Sequence, residues 1–291
     1  MSRTTLSFFL RFCFPKGLLY CLLFFIQPHI YAQEKKDSIP VCKMQYKFSI
    51  PGQFSFVTVD QSGFIYAISQ SGSFIKYNAT GDSVTAYNNI VRYGKPVRAD
   101  VANPFKMLLY YRRLPGCTLL DRQLNEQGAI SFQKSGLVNV AAMATSYDNR
   151  IWLFDQQRST LKKMDDDGTL LLESNDFRQL TGTAIRVEKI LEGDGAIYLY
   201  DPNYGFVITD YYGNYQTQLP LLQWSDVGRY NQRLYGRMND VLYLYDRASF
   251  RCLQWKLPNE FKYTSVFISA EKIYFTTETE LKVFSLIPGQ F

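Results

Sequence analysis

Short runs rich in β-branched and aromatic residues recur along the chain, separated by clusters of Gly, Asn, Asp and Ser. The first set is the clearest, with runs at 56–59, 64–68, 74–77 and 83–87. Strands joined by tight turns have this pattern, whereas a helix would repeat its apolar residues every three or four positions. The pattern therefore predicts an all-β protein built from consecutive antiparallel hairpins.

The hairpins group into repeats. An Ile or Leu followed closely by an aromatic residue recurs six times, at Ile65, Leu108, Ile151, Ile197, Leu234 and Ile273. Successive anchors are 43, 43, 46, 37 and 39 residues apart. A four-stranded propeller blade occupies roughly 40 to 50 residues. The spacing predicts a six-bladed β-propeller of four-stranded antiparallel blades.

The two ends of the chain predict how the ring closes. The last repeat stops after three strands, while the β-like segment 42–49 precedes the first repeat. Within that segment Gln45-Tyr46-Lys47 parallels Gln254-Trp255-Lys256 near the end of the fifth repeat. We expect the N-terminal segment to be the outer strand of the last blade, which removes the exposed sheet edges. A β-sandwich or an irregular β-solenoid is the alternative.

The N-terminal region resembles an export signal. Residues 1–32 contain three basic and no acidic residues, an apolar run at 18–26 and a final Ala32. The apolar run is far shorter than the roughly 20 residues that cross a bilayer. We expect a signal peptide that is removed, no transmembrane segment, and a mature single propeller domain at 33–291.

The charge balance does not favour nucleic acid as a partner. The whole chain carries a formal charge of +6, and the part after residue 32 has 29 basic and 26 acidic residues, or +3. This part shows neither a basic block nor a stripe of Lys and Arg interleaved with aromatic residues. A nucleic-acid-binding domain usually shows such a concentration of basic residues.

Cysteine and histidine usage excludes several catalytic centres. The only histidine, His29, lies within the predicted signal, which excludes histidine-based triads and histidine-ligated metals from the mature chain. Cys42, Cys117 and Cys252 remain, an odd number whose spacing matches no metal motif and allows at most one disulfide. The acidic run Asp165–Gly168 is too short for a calcium loop and is interpreted as a turn. We expect no catalytic residues, no metal and no cofactor.

The most distinctive polar residues lie at two turns that occupy equivalent places two repeats apart. Tyr111, Arg112 and Arg113 immediately precede the first turn, 114–116, and Asn203 and Tyr204 belong to the second, 201–204. The longer connectors 88–98 and 174–186 are expected on the same face of the ring. Arg and Tyr are favoured interface anchors, and loops on a rigid scaffold commonly bind partners. These five residues are the predicted partner-binding residues, although exposed turns without a partner would look the same.

Segment 59–66, VDQSGFIY, resembles the Asp-x-x-Gly-x-Ile-Tyr repeat of NHL and TolB-like six-bladed propellers. The likeness is partial at 141–153 and 192–200. The Ala32-Gln33 junction is also similar to those of propellers exported by bacteria with type IX secretion. Some of those propellers are periplasmic subunits of outer-membrane translocons.

This resemblance implies a periplasmic, non-enzymatic propeller that binds an outer-membrane complex and plugs or gates a protein-secretion channel. Two alternatives stay open. One is a propeller that binds a glycan or another small ligand. The other is a calcium-dependent hydrolase similar to six-bladed lactonases, for which Glu188 and Asp226 would be the channel acids.

Overall fold

The computed structural model describes residues 39–287, so the predicted signal peptide lies outside the described residues. These residues form 24 strands in six four-stranded antiparallel sheets. Strand β1 spans Met44–Pro51 and belongs to blade 6.

The remaining strands follow in chain order. Blade 1 contains β2 (Phe54–Val59), β3 (Ile65–Ser69), β4 (Phe74–Tyr77) and β5 (Ser83–Tyr87); blade 2 contains β6 (Pro96–Asp100), β7 (Met107–Tyr111), β8 (Gly116–Leu120) and β9 (Glu126–Ser131). Blade 3 contains β10 (Val140–Thr145), β11 (Ile151–Asp155), β12 (Thr160–Met164) and β13 (Leu170–Glu173); blade 4 contains β14 (Lys189–Gly193), β15 (Ala196–Asp201), β16 (Gly205–Thr209) and β17 (Tyr215–Leu219). Blade 5 contains β18 (Ser225–Tyr230), β19 (Arg233–Met238), β20 (Val241–Asp246) and β21 (Arg251–Lys256); blade 6 adds β22 (Ser265–Ser269), β23 (Lys272–Thr276) and β24 (Glu280–Leu286) to β1.

Burial changes systematically across each blade. The second and third strands of blades 2, 3 and 4 are buried at every position, whereas the fourth strands β5 and β13 are largely exposed. The core lies between neighbouring blades; Trp152 and Phe154 of blade 3, for example, pack in one cluster with Ile190 and Leu199 of blade 4. Strands covered on both faces need continuous apolar runs, which explains the repeated Ile/Leu-aromatic anchors.

The predicted ring closure is confirmed. Strand β1 pairs antiparallel with β24, from Met44 opposite Leu286 to Pro51 opposite Glu280, and completes the order β22-β23-β24-β1. The strand begins two residues later than predicted and ends two residues later. Its N-terminal neighbour Val41 also bridges Lys256 of blade 5. The six closed blades exclude the sandwich and solenoid alternatives.

The Asp-x-x-Gly motif at 60–63 forms a structural turn. The Asp60 carboxylate accepts hydrogen bonds from the backbone N–H groups of Ser62 and Phe64 at 2.9 and 3.0 Å, and from the Tyr66 hydroxyl at 3.1 Å. Gly63 has φ +82, a left-handed conformation that favours glycine. The motif therefore fixes the turn between the first two strands.

Side chains on the second strands of blades 2, 3 and 4 also tie each of these blades to the one that follows it. The Tyr110 hydroxyl donates to the Val140 carbonyl at 2.9 Å, and the Tyr200 hydroxyl donates to the Trp224 carbonyl at 2.7 Å. In blade 3 the Trp152 indole N–H donates to the Glu192 carboxylate at 2.7 Å. These bonds fix the position of one blade against its neighbour.

Two short helices, α1 (Ile90–Tyr93) and α2 (Phe177–Thr181), lie in connectors between blades. The N-cap Asp176 accepts a hydrogen bond from the Arg178 backbone N–H at 2.9 Å. Within residues 39–287, neither helix has the length and apolar character needed to cross a membrane.

Candidate interaction face and central channel

The antiparallel topology sorts the loops onto two faces of the ring. Because consecutive strands reverse direction, the connectors between blades and the turns between second and third strands lie at one end of every blade. We call this end the connector face. Its loops are 52–53, 70–73, 88–95, 112–115, 132–139, 156–159, 174–188, 202–204, 220–224, 239–240, 257–264 and 277–279.

The predicted partner-binding turns and the long connectors do lie together. The Tyr93 and Tyr111 ring centroids are 5.2 Å apart, and the Tyr204 hydroxyl donates to the Thr181 carbonyl at 3.3 Å. Arg112, Arg113 and Asn203 are exposed, and Tyr204 is half-buried. Tyr111 is only 2% exposed, so it supports the connector beneath the surface and presents no side chain to a partner.

Exposed aliphatic side chains accompany these residues along the connector face. They come from five different loops of this face and carry relative exposures between 38% and 104%: Val91, Leu114, Val138, Leu180 and Leu222. Protein-binding surfaces have an apolar centre and are enriched in arginine, so arginines beside apolar side chains are compatible with such a surface.

The two faces carry opposite charge. The connector-face loops contain nine Lys and Arg against five Asp and Glu, a formal charge of +4. The loops of the other face contain four basic and ten acidic residues, a formal charge of −6; they are 60–64, 78–82, 101–106, 121–125, 146–150, 165–169, 194–195, 210–214, 231–232, 247–250 and 270–271. This asymmetry orients the molecule toward a charged surface.

The predicted acidic turn belongs to the negative face. Residues 165–169 join β12 to β13, and the Asp167 carboxylate accepts the Thr169 backbone N–H at 2.8 Å. Asp165 pairs with Arg150, and Asp166 pairs with Lys106. The three carboxylates are thus divided among separate partners.

A central channel of about 640 Å³ runs between the first strands of the six blades. Blades 1, 3 and 6 line it with uncharged side chains, among them Val57, Ala142 and Phe267. All charged groups of its lining come from blades 2, 4 and 5: Arg98, Asp100, Glu188, Lys189, Glu192, Asp226 and Arg229.

Lys189 is one of the channel charges whose pKa the fold perturbs. Its ammonium donates to the Val227 carbonyl at 2.6 Å, and its side chain remains accessible from the channel. Enclosure within the channel wall lowers the pKa of Lys189 to about 8, and the nearby Arg98 charge acts in the same direction. The Asp226 and Asp100 carboxylates oppose this pKa shift.

The channel acids are held by separate partners. Burial raises the pKa of Asp100, although the backbone N–H groups of Ala102 and Thr145 donate to its carboxylate at 2.8 and 2.7 Å and oppose the shift. Burial also raises the pKa of Glu192, whose carboxylate accepts the Trp152 indole N–H.

The two predicted channel acids do not form a cation cage with their neighbours. The Asp226 carboxylate accepts Arg237 Nε at 2.7 Å and the Val266 backbone N–H at 3.0 Å. Glu188 lies near Arg98, which binds the Glu188 carbonyl. Among residues 39–287, no group of three or more Asp, Glu, His or Cys side chains is arranged to hold a metal ion.

The cysteines of the described region are free thiols. Cys42 and Cys117 are buried, and burial raises the pKa of the Cys42 thiol to about 11 and that of Cys117 to about 12. Cys252 is exposed on the outer strand β21. A buried thiol with such a pKa is a poor nucleophile near neutral pH.

The sequence pattern did not identify several basic residues of the channel and its mouth. Arg98, Arg186, Lys189 and Arg229 occur singly, and only the ring brings them toward one channel and its mouth. Their position at or beside a predicted first strand could have identified them, because the first strands of blades 1, 3 and 6 line the channel with uncharged residues.

The fold and this geometry define a six-bladed β-propeller, and comparison with solved structures agrees. A catalytically inactive virginiamycin B lyase from Staphylococcus aureus, solved with quinupristin, has a TM-score of 0.59 and 13% identity over 84% of this chain and 99% of that one. The WD40 domain of Pan2 from Neurospora crassa has a TM-score of 0.61 and 9% identity over 82% of this chain and 90% of that one. No protein-family model and no curated protein matches the sequence. At these identities the likeness establishes the fold alone.

Proposed function

We propose that this protein is a non-enzymatic docking module that binds a larger protein complex through its connector face. The observation that carries the proposal is the separation of charge between the two faces, with exposed aliphatic side chains on the positive one. A rigid ring pre-organises such a surface, which lowers the entropic cost of binding. The complementary partner surface is acidic at its rim and apolar at its centre.

The proposed setting is the periplasm, at the inner side of the outer membrane. The basic N-terminal segment with its apolar run and Ala32 supports export. The sequence resemblance to exported propellers supports an outer-membrane protein-secretion complex as the partner, whose channel the ring would plug or gate.

The proposal is tested by purifying the tagged protein from its native envelope in mild detergent and identifying bound proteins by mass spectrometry. Leu114→Asp places a charge on the connector face, and Phe105→Asp makes the same change on the other face of the same blade. The two side chains are 54% and 69% exposed, so neither substitution disturbs the core.

We expect a stoichiometric outer-membrane partner with the native protein and with Phe105→Asp, and its loss with Leu114→Asp. Recovery of the native protein as a monomer would refute the docking role. Loss of the partner with Phe105→Asp but not with Leu114→Asp would refute the assignment of the face.

A further inference from the structure

A second cavity, of about 460 Å³, lies at the connector-face side of the channel where blades 2, 3 and 4 meet. Three arginines from separate segments line it: Arg98 on β6, Arg112 in the turn after β7, and Arg186 in the connector before β14. Glu188 is the only acidic residue of the lining. We call this cavity the arginine pocket.

The arginines of this pocket are poorly neutralised. Arg98 donates to the Glu188 carbonyl, and burial lowers the pKa of Arg98, an effect that the Glu188 charge opposes and the Arg112 charge reinforces. The Arg112 and Arg186 side chains are exposed and make no hydrogen bond or ion pair with any residue in 39–287. Three guanidinium groups facing one carboxylate leave a net positive potential in a partly enclosed space.

The other lining groups limit what can bind. The Gln156 amide N–H already donates to the Ile185 carbonyl at 2.7 Å, and the Tyr110 hydroxyl already donates to Val140. Tyr110, Pro115 and Val138 add apolar surface to the wall. The guanidinium groups are therefore the main free donors, and their planar fork matches the two oxygens of a carboxylate.

We propose that the arginine pocket is a binding site for carboxylate groups, held by Arg98, Arg112 and Arg186. Its volume lies in the range of small-ligand sites. The carboxylates come either from a free small polycarboxylate or from acidic side chains of a bound protein segment. The site does not depend on the docking role, because a free ligand would occupy the same donors.

The test is isothermal titration calorimetry on the purified protein at low ionic strength. The probes are citrate, a tetraglutamate peptide and a tetraglutamine peptide as the neutral control. Arg112→Gln and Arg186→Gln remove pocket donors that have no partner in the fold, so both variants should fold. Arg113→Gln is the matched control, because it removes the same charge from the next residue of the same turn, outside the pocket.

We expect saturable one-to-one binding of an acidic probe that weakens roughly tenfold or more in each pocket variant and changes less than about twofold in Arg113→Gln. Binding of citrate assigns the site to a free polycarboxylate, and binding of tetraglutamate alone assigns it to an acidic segment. The proposal is overturned if neither acidic probe binds, if tetraglutamine binds equally, or if Arg113→Gln weakens binding as much as Arg112→Gln. Leu114→Asp, which tests docking, should leave citrate binding intact, so failure of one proposal is distinguishable from failure of the other.

Discussion

Lys189 shows how enclosure within the ring changes the ionisation of a single side chain. On an open strand it would be an ordinary solvated lysine, but here its ammonium faces Val227 within the channel wall. Its pKa of about 8 means that the charged form is disfavoured by the folded state. Below about pH 8 the lysine is protonated in both the folded and the unfolded protein. The folded protein is then destabilised by the full free energy of holding the charged ammonium in the channel wall.

We therefore predict that the stability of the protein depends on pH through this residue. In the unfolded chain the lysine has a pKa of about 10.4. Between about pH 8 and that pKa, the unfolded state binds more protons than the folded state, so the Lys189 contribution to stability rises with pH. Lys189→Met removes the titrating group and loses the bond to Val227 at every pH. The melting temperature of this variant relative to the native protein should thus be higher at pH 7 than at pH 10.

The measurement is a series of thermal melts from pH 7 to 10, with Lys134→Met as the control. Lys134 is exposed in a connector, and its substitution removes the same charge. The prediction would be contradicted if the melting temperature of Lys189→Met relative to the native protein stayed constant across this range or increased with pH.

At the scale of the elements, second-strand side chains position one blade against the next. Tyr200 is 1% exposed, and its hydroxyl bonds to the Trp224 carbonyl just before β18. Burial raises the pKa of Tyr200 well above its usual value, which keeps the hydroxyl protonated as a donor. The bond crosses from blade 4 to the start of blade 5.

Tyr200→Phe should destabilise the fold by about 1 to 3 kcal/mol, because the ring still packs while the buried Trp224 carbonyl loses its partner. Urea unfolding measures the change. Tyr212→Phe is the control, since the Tyr212 ring is 74% exposed and should change stability little. Equal effects of the two substitutions would show that the hydroxyl of Tyr200 contributes nothing.

The elements themselves were largely predictable from sequence. The Ile/Leu-aromatic anchors at Ile65, Ile151 and Ile197 fall on second strands because those strands are covered on both sides. The shared pattern of Gln45-Tyr46-Lys47 and Gln254-Trp255-Lys256 identified two outer strands. The burial of Tyr111 was not predictable, since its packing partner Tyr93 belongs to a connector whose course depends on the finished ring.

At the scale of the whole molecule, the net charge of the sequence does not reveal the separation of charge between the two faces. The sequence after residue 32 is nearly neutral, at a formal charge of +3, yet its loops divide into a positive connector face and a negative opposite face. Sequence alone does not separate these groups, because basic, acidic and neutral loops follow one another without a regular order and only the strand directions assign each loop to a face. The arginine pocket was not predictable from the sequence for the same reason.

The charge separation predicts oriented adsorption. On a cation-exchange resin at pH 7 and low salt, the protein should bind through its connector face. Arg113→Gln should therefore elute at lower salt than Arg122→Gln, which removes the same charge from a turn on the other face. Salt-gradient elution of the two variants measures the difference, and identical elution would show that net charge alone controls retention.

The pairing of β1 with β24 also has a kinetic consequence. The first strand of the folded region has no lasting partner until the last three strands are present. Contacts between such distant parts of a chain slow folding, because the entropy of closing the largest loop is lost before its contacts are gained. A chain that emerges from its N-terminal end would keep β1 unpaired until β24 has also emerged, so the closure of the ring would come after the other blades have formed.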